Sequence, residues 1–210
     1  RRPFGRRAGW NVDGRDGRDG GEGDLIYALW LLAAQGLIGA FDTVYYHEWR
    51  ARLPALGGEA RAELGLHAAR ALIYGVVFAT LPRVEWRGAW ALAFAALLAA
   101  EIVITLKDFV VEDRVRKSLG GVYPGERVTH AVMGIIYGAM LANLAPTLLA
   151  WWRESTALAA TTADAPQSLV WALTLMSAGV TLSGARDLYA ALSLPGCAWP
   201  WRTSEGGRAV

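Results

Sequence analysis

Residues 89–106 read AWALAFAALLAAEIVITL, and this stretch decides the fold class. Glu101 is its one ionisable side chain. A helix needs about 20 apolar residues to cross the hydrocarbon core of a bilayer. Backbone polar groups in lipid must be satisfied within the segment, which favours a helix over any open strand. Residues 89–106 therefore predict a transmembrane helix.

Four further apolar stretches have the same character. They comprise residues 25–46, 67–81, 131–152 and 169–194, with the second extended backward through residues 60–66. Ala and Leu, which favour helix, are abundant in them, and 54% of the 210 residues are hydrophobic. We predict an all-α integral membrane protein with about five transmembrane helices. A soluble helical protein with a buried core fits apolar runs of this length less well.

The composition excludes several classes of function. The single cysteine, Cys197, excludes an internal disulfide framework and a cysteine-based metal site. Arg and Lys form no stripe suited to nucleic acid, so we expect no nucleic-acid partner. The sequence contains no nucleotide-binding glycine loop, nucleophile elbow or haem-attachment motif. Eight of the ten Trp residues lie near predicted helix ends, as in an interfacial aromatic belt, so membrane lipid is the expected surrounding.

An internal repeat organises the chain. LLAAQGLIGAFDTVYYHEWRARL, from residue 31, matches LLAAEIVITLKDFVVEDRVRKSL, from residue 97, and ELGLHAARALIYG, from residue 63, matches ERVTHAVMGIIYG, from residue 126. Such self-similarity is typical of duplicated structural units. We predict a polar, flexible N-terminal tail at 1–24 and two helical-hairpin repeats at 25–88 and 89–152. A fifth transmembrane helix and a C-terminal tail then occupy 153–210.

Both repeats run in the same sense, so the charged ends of their four helices should meet on one side of the membrane. The short turn at residues 82–88 would lie on the other side. The loops inside the repeats carry most of the interhelical Lys and Arg residues. The positive-inside rule places such loops in the cytoplasm, and we expect the membrane to be a bacterial cytoplasmic membrane.

Helical spacing predicts a site on these four helices. Residues at i, i+4 and i+7 share one face, and each helix has one polar stripe that should face away from lipid. The candidate metal ligands are Asp42, Glu63, His67, Glu101, Asp108, Glu112, Glu126 and His130. Tyr46, Tyr74, Tyr137 and Arg70 lie on the same stripes and are expected to support the ligands.

In architecture and residue inventory these stripes resemble the di-iron carboxylate helix bundles, which use about four carboxylates and two His from four helices. That resemblance implies a di-metal centre of iron or manganese, and zinc also suits such ligands. The sequence departs from the usual Glu-x-x-His spacing, because Glu63 and Glu126 each precede a His by four residues. It also has Tyr46 where the second repeat has Glu112, so a metal pair would be asymmetric.

Several polar residues have simpler interpretations. His47 is five residues from Asp42, off the α-helical stripe, and is expected to be a loop residue at the interface. Asp108 and Glu112 could form salt bridges with nearby basic residues of the following loop. Glu101 could be a ligand, a proton relay or a hydrogen-bonded core group. The adjacent pair at 186–187 is expected to be a local charge pair.

Three functions remain open. The first is a membrane-bound di-metal oxidoreductase acting on a lipid-soluble substrate such as a quinone, an acyl chain or an isoprenoid. The second is a non-catalytic accessory subunit of a larger membrane complex, with other membrane subunits as partners and haem or a chlorophyll-type pigment held by His67 and His130. The third is a small transporter. This function is less favoured, because the repeats run parallel and no predicted helix is broken mid-membrane.

Overall fold

The computed structural model describes the backbone of residues 16–201 and the side chains of residues 24–201. Five long helices run through it: α1 Asp16–Asp42, α2 Arg61–Thr80, α3 Ala89–Val115, α4 Pro124–Trp152 and α5 Gln167–Ala191. Residues 1–15 of the predicted flexible tail lie outside the described residues. The rest of that predicted tail belongs to α1, which begins at Asp16.

All five helices are long and apolar enough to cross a membrane. The chain is therefore an all-α integral membrane protein, as the apolar runs predict. Large apolar side chains such as Leu37, Val103 and Ile135 are exposed on the outer helix faces, where lipid would surround them. Exposed Trp30 and Trp49 are 19 residues apart in the chain. That is about 28 Å along a helix, close to the roughly 30 Å of a bilayer core.

The hairpins are built into one bundle. α1 packs along α4, and α2 packs along α5 and, less extensively, along α3. Each helix contributes to the core, whose fully buried side chains include Leu32, Phe78, Phe94, Leu144 and Leu173. The sequence pattern thus places one apolar stripe of each helix inward, while the remaining apolar surface faces outward.

Small residues set the close approach of α2 and α5. A Cβ atom at Gly184 would collide with the Cβ atom of Ala71. Ser177 donates a 2.8 Å hydrogen bond to the carbonyl oxygen of Gly75 at the same interface. Such small residues allow transmembrane helices to contact each other through their backbones. The fifth helix therefore closes the bundle against α2.

The connection between α1 and α2 is helical but irregular. A π-helical segment, Thr43–Arg50, continues α1 directly. A 3₁₀ segment, Leu53–Ala60, then leads into α2, with Arg52 (φ 50°) and Gly57 (φ 60°) in positive-φ conformations. This connection folds back over the end of the bundle, where Leu53 and Ala60 are buried with Leu64.

Two short strands lie at the opposite end of the bundle, where the sequence predicts only a turn at residues 82–88. Strand β1, Val84–Arg87, pairs antiparallel with strand β2, Ala157–Ala160, so that Trp86 faces Leu158. The pairing ties the α2–α3 connection to the α4–α5 connection. It is anchored by Glu85, whose carboxylate accepts hydrogen bonds from the backbone and hydroxyl of Thr162.

Candidate metal centre

Four helix ends meet at one end of the bundle. They are the C-terminal ends of α1 and α3 and the N-terminal ends of α2 and α4. All eight predicted ligands are buried: Asp42, Glu63, His67, Glu101, Asp108, Glu112, Glu126 and His130. Their contacts divide them into a central cluster, a neighbouring histidine–aspartate pair, an arginine bridge and a deeper hydrogen-bonded group.

The central cluster consists of Asp42, His47, Glu112, Glu126 and His130. His130 Nε2 is hydrogen-bonded to Asp42 Oδ2 at 3.1 Å, and His130 Nδ1 lies 3.6 Å from Glu112 Oε1. His47 Nε2 lies 3.3 Å from both Asp42 Oδ2 and Glu126 Oε1. Five potential ligands from three helices and the π-helical segment thus meet in one buried region.

His47 does not lie in an interfacial loop, and the sequence expectation for it was wrong. It belongs to the π-helical segment Thr43–Arg50 and is buried. A π-helix forms hydrogen bonds between residues five apart, so its winding keeps residues five apart on the same side. This winding turns His47 onto the face of Asp42, from which an α-helix would have rotated it away.

The neighbouring pair is His67 and Asp108. His67 Nε2 lies 3.3 Å from Asp108 Oδ2, and Arg70 Nη1 donates a 3.2 Å hydrogen bond to the same carboxylate oxygen. The His67 ring is stacked on that of His47, which joins this pair to the central cluster. The pairing mirrors that of His130 with Asp42, since each histidine contacts the aspartate of the other hairpin.

The arginine bridge is formed by Arg116, which the sequence analysis did not place in the site. Its guanidinium is fully buried and binds Glu63 Oε1 at 2.7 Å and Glu126 Oε1 at 3.0 Å. Arg116 therefore links the first acidic residue of α2 to that of α4. Glu63 is paired with Arg116 and lies outside the central cluster. Glu126 contacts both Arg116 and His47.

The deeper group surrounds Glu101. Tyr74 donates a 3.1 Å hydrogen bond to Glu101 Oε1, Thr105 donates one of 2.8 Å, and Gln35 donates to the Tyr74 hydroxyl at 3.2 Å. Arg70 Nε lies 3.4 Å from Glu101 Oε1 and so connects this group to Asp108. Glu101 is therefore a hydrogen-bonded core group in the structure, separate from the central cluster.

The remaining predicted supporting residues are more distant. Tyr137 donates a hydrogen bond to the carbonyl oxygen of Leu98. Tyr46 stacks on Tyr123, and its hydroxyl lies against Gly125 at the start of α4. The first contact joins α4 to α3, and the second joins the π-helical segment to the start of α4, so both side chains act here in helix packing.

Arg186 and Asp187 do not form the local charge pair that the sequence suggests. Arg186 binds the carboxylate of Glu48 and the carbonyl oxygen of Trp199. Asp187 is buried and lines a cavity with His67. Consecutive helical residues project in different directions, so the two side chains reach different surroundings.

Negative charge exceeds positive charge in this buried region. Six carboxylates, Asp42, Glu63, Glu101, Asp108, Glu112 and Glu126, are opposed by the guanidinium groups of Arg70 and Arg116. Ionised groups are costly within a membrane unless they are paired. The excess requires further positive charge, which bound protons or a metal ion would supply.

The donor atoms also have spacings suited to a metal ion. Ligand atoms at about 2.1 Å from one ion lie about 3.0–3.4 Å apart in tetrahedral or octahedral geometry. The described residues include two groups whose donor atoms all lie within 4.8 Å: Asp42, His47, His130 and Glu112, Glu126, His130. Buried atoms in these groups lack hydrogen-bond partners among the described residues, namely Asp42 Oδ1, His47 Nε2, Glu112 Oε2 and Glu126 Oε2.

A cavity of about 590 Å³ opens beside the site. Asp42, His47 and His67 form part of its polar end, and most of its remaining wall is apolar. Its volume is within the range of about 300–1,000 Å³ that small-molecule sites occupy.

Fold and site together define a class: a helical integral membrane protein with buried Asp, Glu and His groups that could hold a metal ion. Comparison with protein-family models, with curated proteins and with solved structures gives no match. The function must therefore be argued from the site itself.

Proposed function

We propose that the chain is a metal-dependent membrane oxidoreductase with a di-metal centre, acting on a lipid-soluble substrate. Asp42 and His47 would hold one ion, and Glu112 and Glu126 would hold the other. His130 belongs to both groups, and it would have to lose its ring N–H proton to serve both ions as an imidazolate. Mixed carboxylate and imidazole ligands suit iron and manganese, and they also accept zinc. A bound redox metal would supply the electron-transfer chemistry.

The observation that carries this proposal is the excess of buried carboxylates at the central cluster. A structural ion-pair network would be expected to balance its charges, since unpaired buried charge is strongly destabilising. Here Arg116 and Arg70 account for only part of the negative charge. Divalent cations would neutralise the remainder and satisfy the unpaired donor atoms at the same time.

The other residues of the site have supporting roles in this proposal. Arg116 fixes the carboxylate of Glu126 and holds the start of α4 against α2. Asp108 orients His67 beside His47, which places an imidazole able to accept or release a proton at the polar end of the cavity. Hydrogen bonds of this type commonly orient residues around metal sites.

The same contacts disfavour the haem or pigment alternative. An axial histidine ligand directs one ring nitrogen into open space where the macrocycle lies. Here His67 Nε2 faces Asp108 at 3.3 Å, and His130 Nε2 faces Asp42 at 3.1 Å. Each ring nitrogen that would bind the macrocycle is therefore directed at a carboxylate.

Elemental analysis of detergent-purified protein tests the proposal. The wild-type chain should contain about two iron or manganese ions, and His130→Ala should lose them because His130 belongs to both donor groups. Val128→Ala is the matched control, since Val128 is exposed on the same helical turn. Reduction and reoxidation should change the absorption or paramagnetic resonance spectrum of the wild-type and Val128→Ala proteins but not that of His130→Ala.

Three results would decide against parts of the proposal. Folded wild-type protein without metal would overturn the metal centre. One ion per chain would overturn the di-metal assignment but keep the site. Zinc as the physiological metal would exclude redox chemistry at the site, because zinc has no accessible second oxidation state.

A further inference from the structure

The 590 Å³ cavity is a cleft between α1 and α5 with α2 as its floor. Gly39, Ala40 and Val44 of the first helical region form one wall, and Leu175 and Val180 of α5 form the other. Phe78 and Ala71 lie on the floor. These residues make most of the cleft surface apolar.

The cleft opens sideways, toward the lipid. Val44 is 64% exposed and Leu175 is 72% exposed, and the two lie on opposite walls. Both belong to helices long and apolar enough to cross a membrane. A molecule dissolved in the bilayer could therefore reach the cleft without passing through water.

One end of the cleft carries polar groups that lack hydrogen-bond partners among the described residues. Asp42 Oδ1 is one such atom, and Gln35 Oε1 is a second, deeper in the wall. His47 and His67 line the same end, with each Nε2 atom 3.3 Å from a carboxylate oxygen. The cleft thus combines a long apolar surface with a small set of hydrogen-bonding groups. Its surface is therefore complementary to an amphiphile, a molecule with an apolar chain and a polar head group.

A smaller cavity of about 270 Å³ between α3 and α4 gives an internal comparison. Its lining includes Ile102, Thr105 and Leu106, which stand 66 residues after Gly36, Gly39 and Ala40 of the larger cleft. The two linings therefore occupy matching positions in the two hairpins. Gly39 and Ala40 on α1 leave space that the larger Thr105 and Leu106 occupy on α3, whereas Gly36 is packed against Phe78 and Met176.

We propose that the α1–α5 cleft binds a lipid with a single apolar chain and an uncharged, hydrogen-bonding head group. The head group meets His47, His67 and Asp42, and the chain lies along α1 and α5 toward Phe78. Its identification as the substrate rests on the proposed metal-dependent function, whereas its binding in the cleft does not.

The charge of the site determines the head group. Two carboxylates, Asp42 and Asp187, line the cleft beside the guanidinium of Arg70. In the metal-free protein this excess repels a phosphate or carboxylate head group, whereas an alcohol or a quinol can both donate and accept hydrogen bonds there. The chain gives orientation more than affinity, because it leaves lipid for a surface of similar polarity. Affinity therefore comes from the polar end, where the unpaired atoms lie.

Photo-crosslinking in phosphatidylcholine vesicles tests the inference. The probe is hexadecanol with a diazirine in its chain, and the comparison probe is hexadecyl phosphate with the same diazirine. Labelled peptides are mapped by mass spectrometry. A Gly39→Thr and Ala40→Leu double variant gives α1 the residues that α3 has at the matching positions. Ala185→Leu places a similar side chain on an exposed position of α5 outside the cleft.

The hexadecanol label should concentrate on residues 40–47 and 172–183. It should fall about tenfold in the double variant, because the inserted side chains occupy the chain site, and remain unchanged in Ala185→Leu. Hexadecyl phosphate should label lipid-facing positions evenly. An even distribution of the hexadecanol label, or a label that the double variant does not reduce, would overturn the inference. Equal concentration of both probes in the cleft would overturn the uncharged head group.

Metal analysis of the same preparations separates this inference from the proposed function. A labelled cleft in metal-free wild-type protein would leave the lipid site standing and remove the metal-dependent function. A metal-loaded protein with an unlabelled cleft would remove the lipid site and leave the metal-dependent function standing. The double variant should keep its metal, since neither Gly39 nor Ala40 offers a ligand atom.

Discussion

The imidazole rings of His47 and His67 are stacked, with centroids 4.5 Å apart and planes within 10° of parallel. His47 comes from the π-helical segment and His67 from α2. Two charged imidazolium rings would repel each other at this separation, whereas the neutral ring is the form that ligates metals. The stack therefore connects the central cluster to the His67–Asp108 pair and disfavours a positive charge on both rings at once.

Replacing His47 should weaken binding of the ion that it shares with Asp42. His47→Ala removes a donor that approaches two carboxylates, so metal affinity should fall by more than the roughly 10–100-fold that loss of a supporting partner costs. Titration of the metal-free protein, monitored by calorimetry, measures this. Trp49→Ala is the control, because Trp49 is exposed in the same π-helical segment. Equal affinities in the two variants would exclude His47 from the site.

Removing the buried arginine should destabilise the fold. Arg116→Met leaves Glu63 and Glu126 without their common guanidinium, and breaking a buried ion pair in this way costs about 3–5 kcal/mol. Denaturant-induced unfolding in detergent micelles measures the loss. Arg114→Met is the control, since Arg114 is exposed and lies two residues before Arg116.

A second substitution distinguishes lost charge balance from lost packing. Adding Glu63→Gln to Arg116→Met removes one of the unpaired carboxylates, so part of the stability should return. A double variant as unstable as Arg116→Met alone would mean that packing of the arginine side chain, and not its charge, stabilises the helix ends.

The number of helices could be predicted from the sequence because each transmembrane segment leaves a long apolar run. The burial of Asp42, Asp108 and both α-helical histidines also followed from α-helical spacing. Ionisable residues are expensive in lipid, so polar positions at i, i+4 and i+7 have to face inward. The part of the site that obeys α-helical geometry could therefore be predicted from the sequence.

The rest of the site depends on geometry that local patterns do not encode. Nothing in TVYYHEWR distinguishes π-helical from α-helical winding, so the role of His47 was missed. Arg50 and Arg116 stand at matching repeat positions, yet Arg50 is exposed and lies over the partly buried Tyr123 ring, while Arg116 is buried. The β1–β2 pairing joins residues 70 or more positions apart, and the sequences of these short strands do not indicate which segments pair.

The closeness of α2 and α5 should make Gly184 sensitive to a single methyl group. Gly184→Ala places a Cβ against Ala71 and should cost about 1–3 kcal/mol through overpacking. Gly179→Ala on the same helix has open space around its Cβ and should stabilise by up to about 1 kcal/mol, because Ala favours helix over Gly. Thermal unfolding of both variants in one detergent gives the comparison. Destabilisation of similar size in both would contradict the tight α2–α5 contact.

The β1–β2 ribbon should give the protein an acid-sensitive component of stability. Burial alone would raise the pKa of Glu85, but hydrogen bonds from Thr162 and Arg87 hold that pKa below its ordinary value of 4.5. The ionised carboxylate therefore stabilises the folded state above about pH 4.5, and this contribution is lost as the pH falls through the lower folded-state value. Glu85→Gln should lower stability by about 1–2 kcal/mol near pH 7, where it loses charge-assisted hydrogen bonds.

Unfolding of wild-type and Glu85→Gln protein between pH 7 and pH 3 checks this assignment. The difference between the two should shrink as the wild-type carboxylate becomes protonated. Glu154→Gln is the control, because Glu154 is exposed and binds Nη1 of Arg87, whereas Glu85 binds Nε and Nη2. A difference that stays constant with pH would mean that Glu85 contributes through the shape of its side chain. The ribbon would then be held by its backbone pairing, without a titratable anchor.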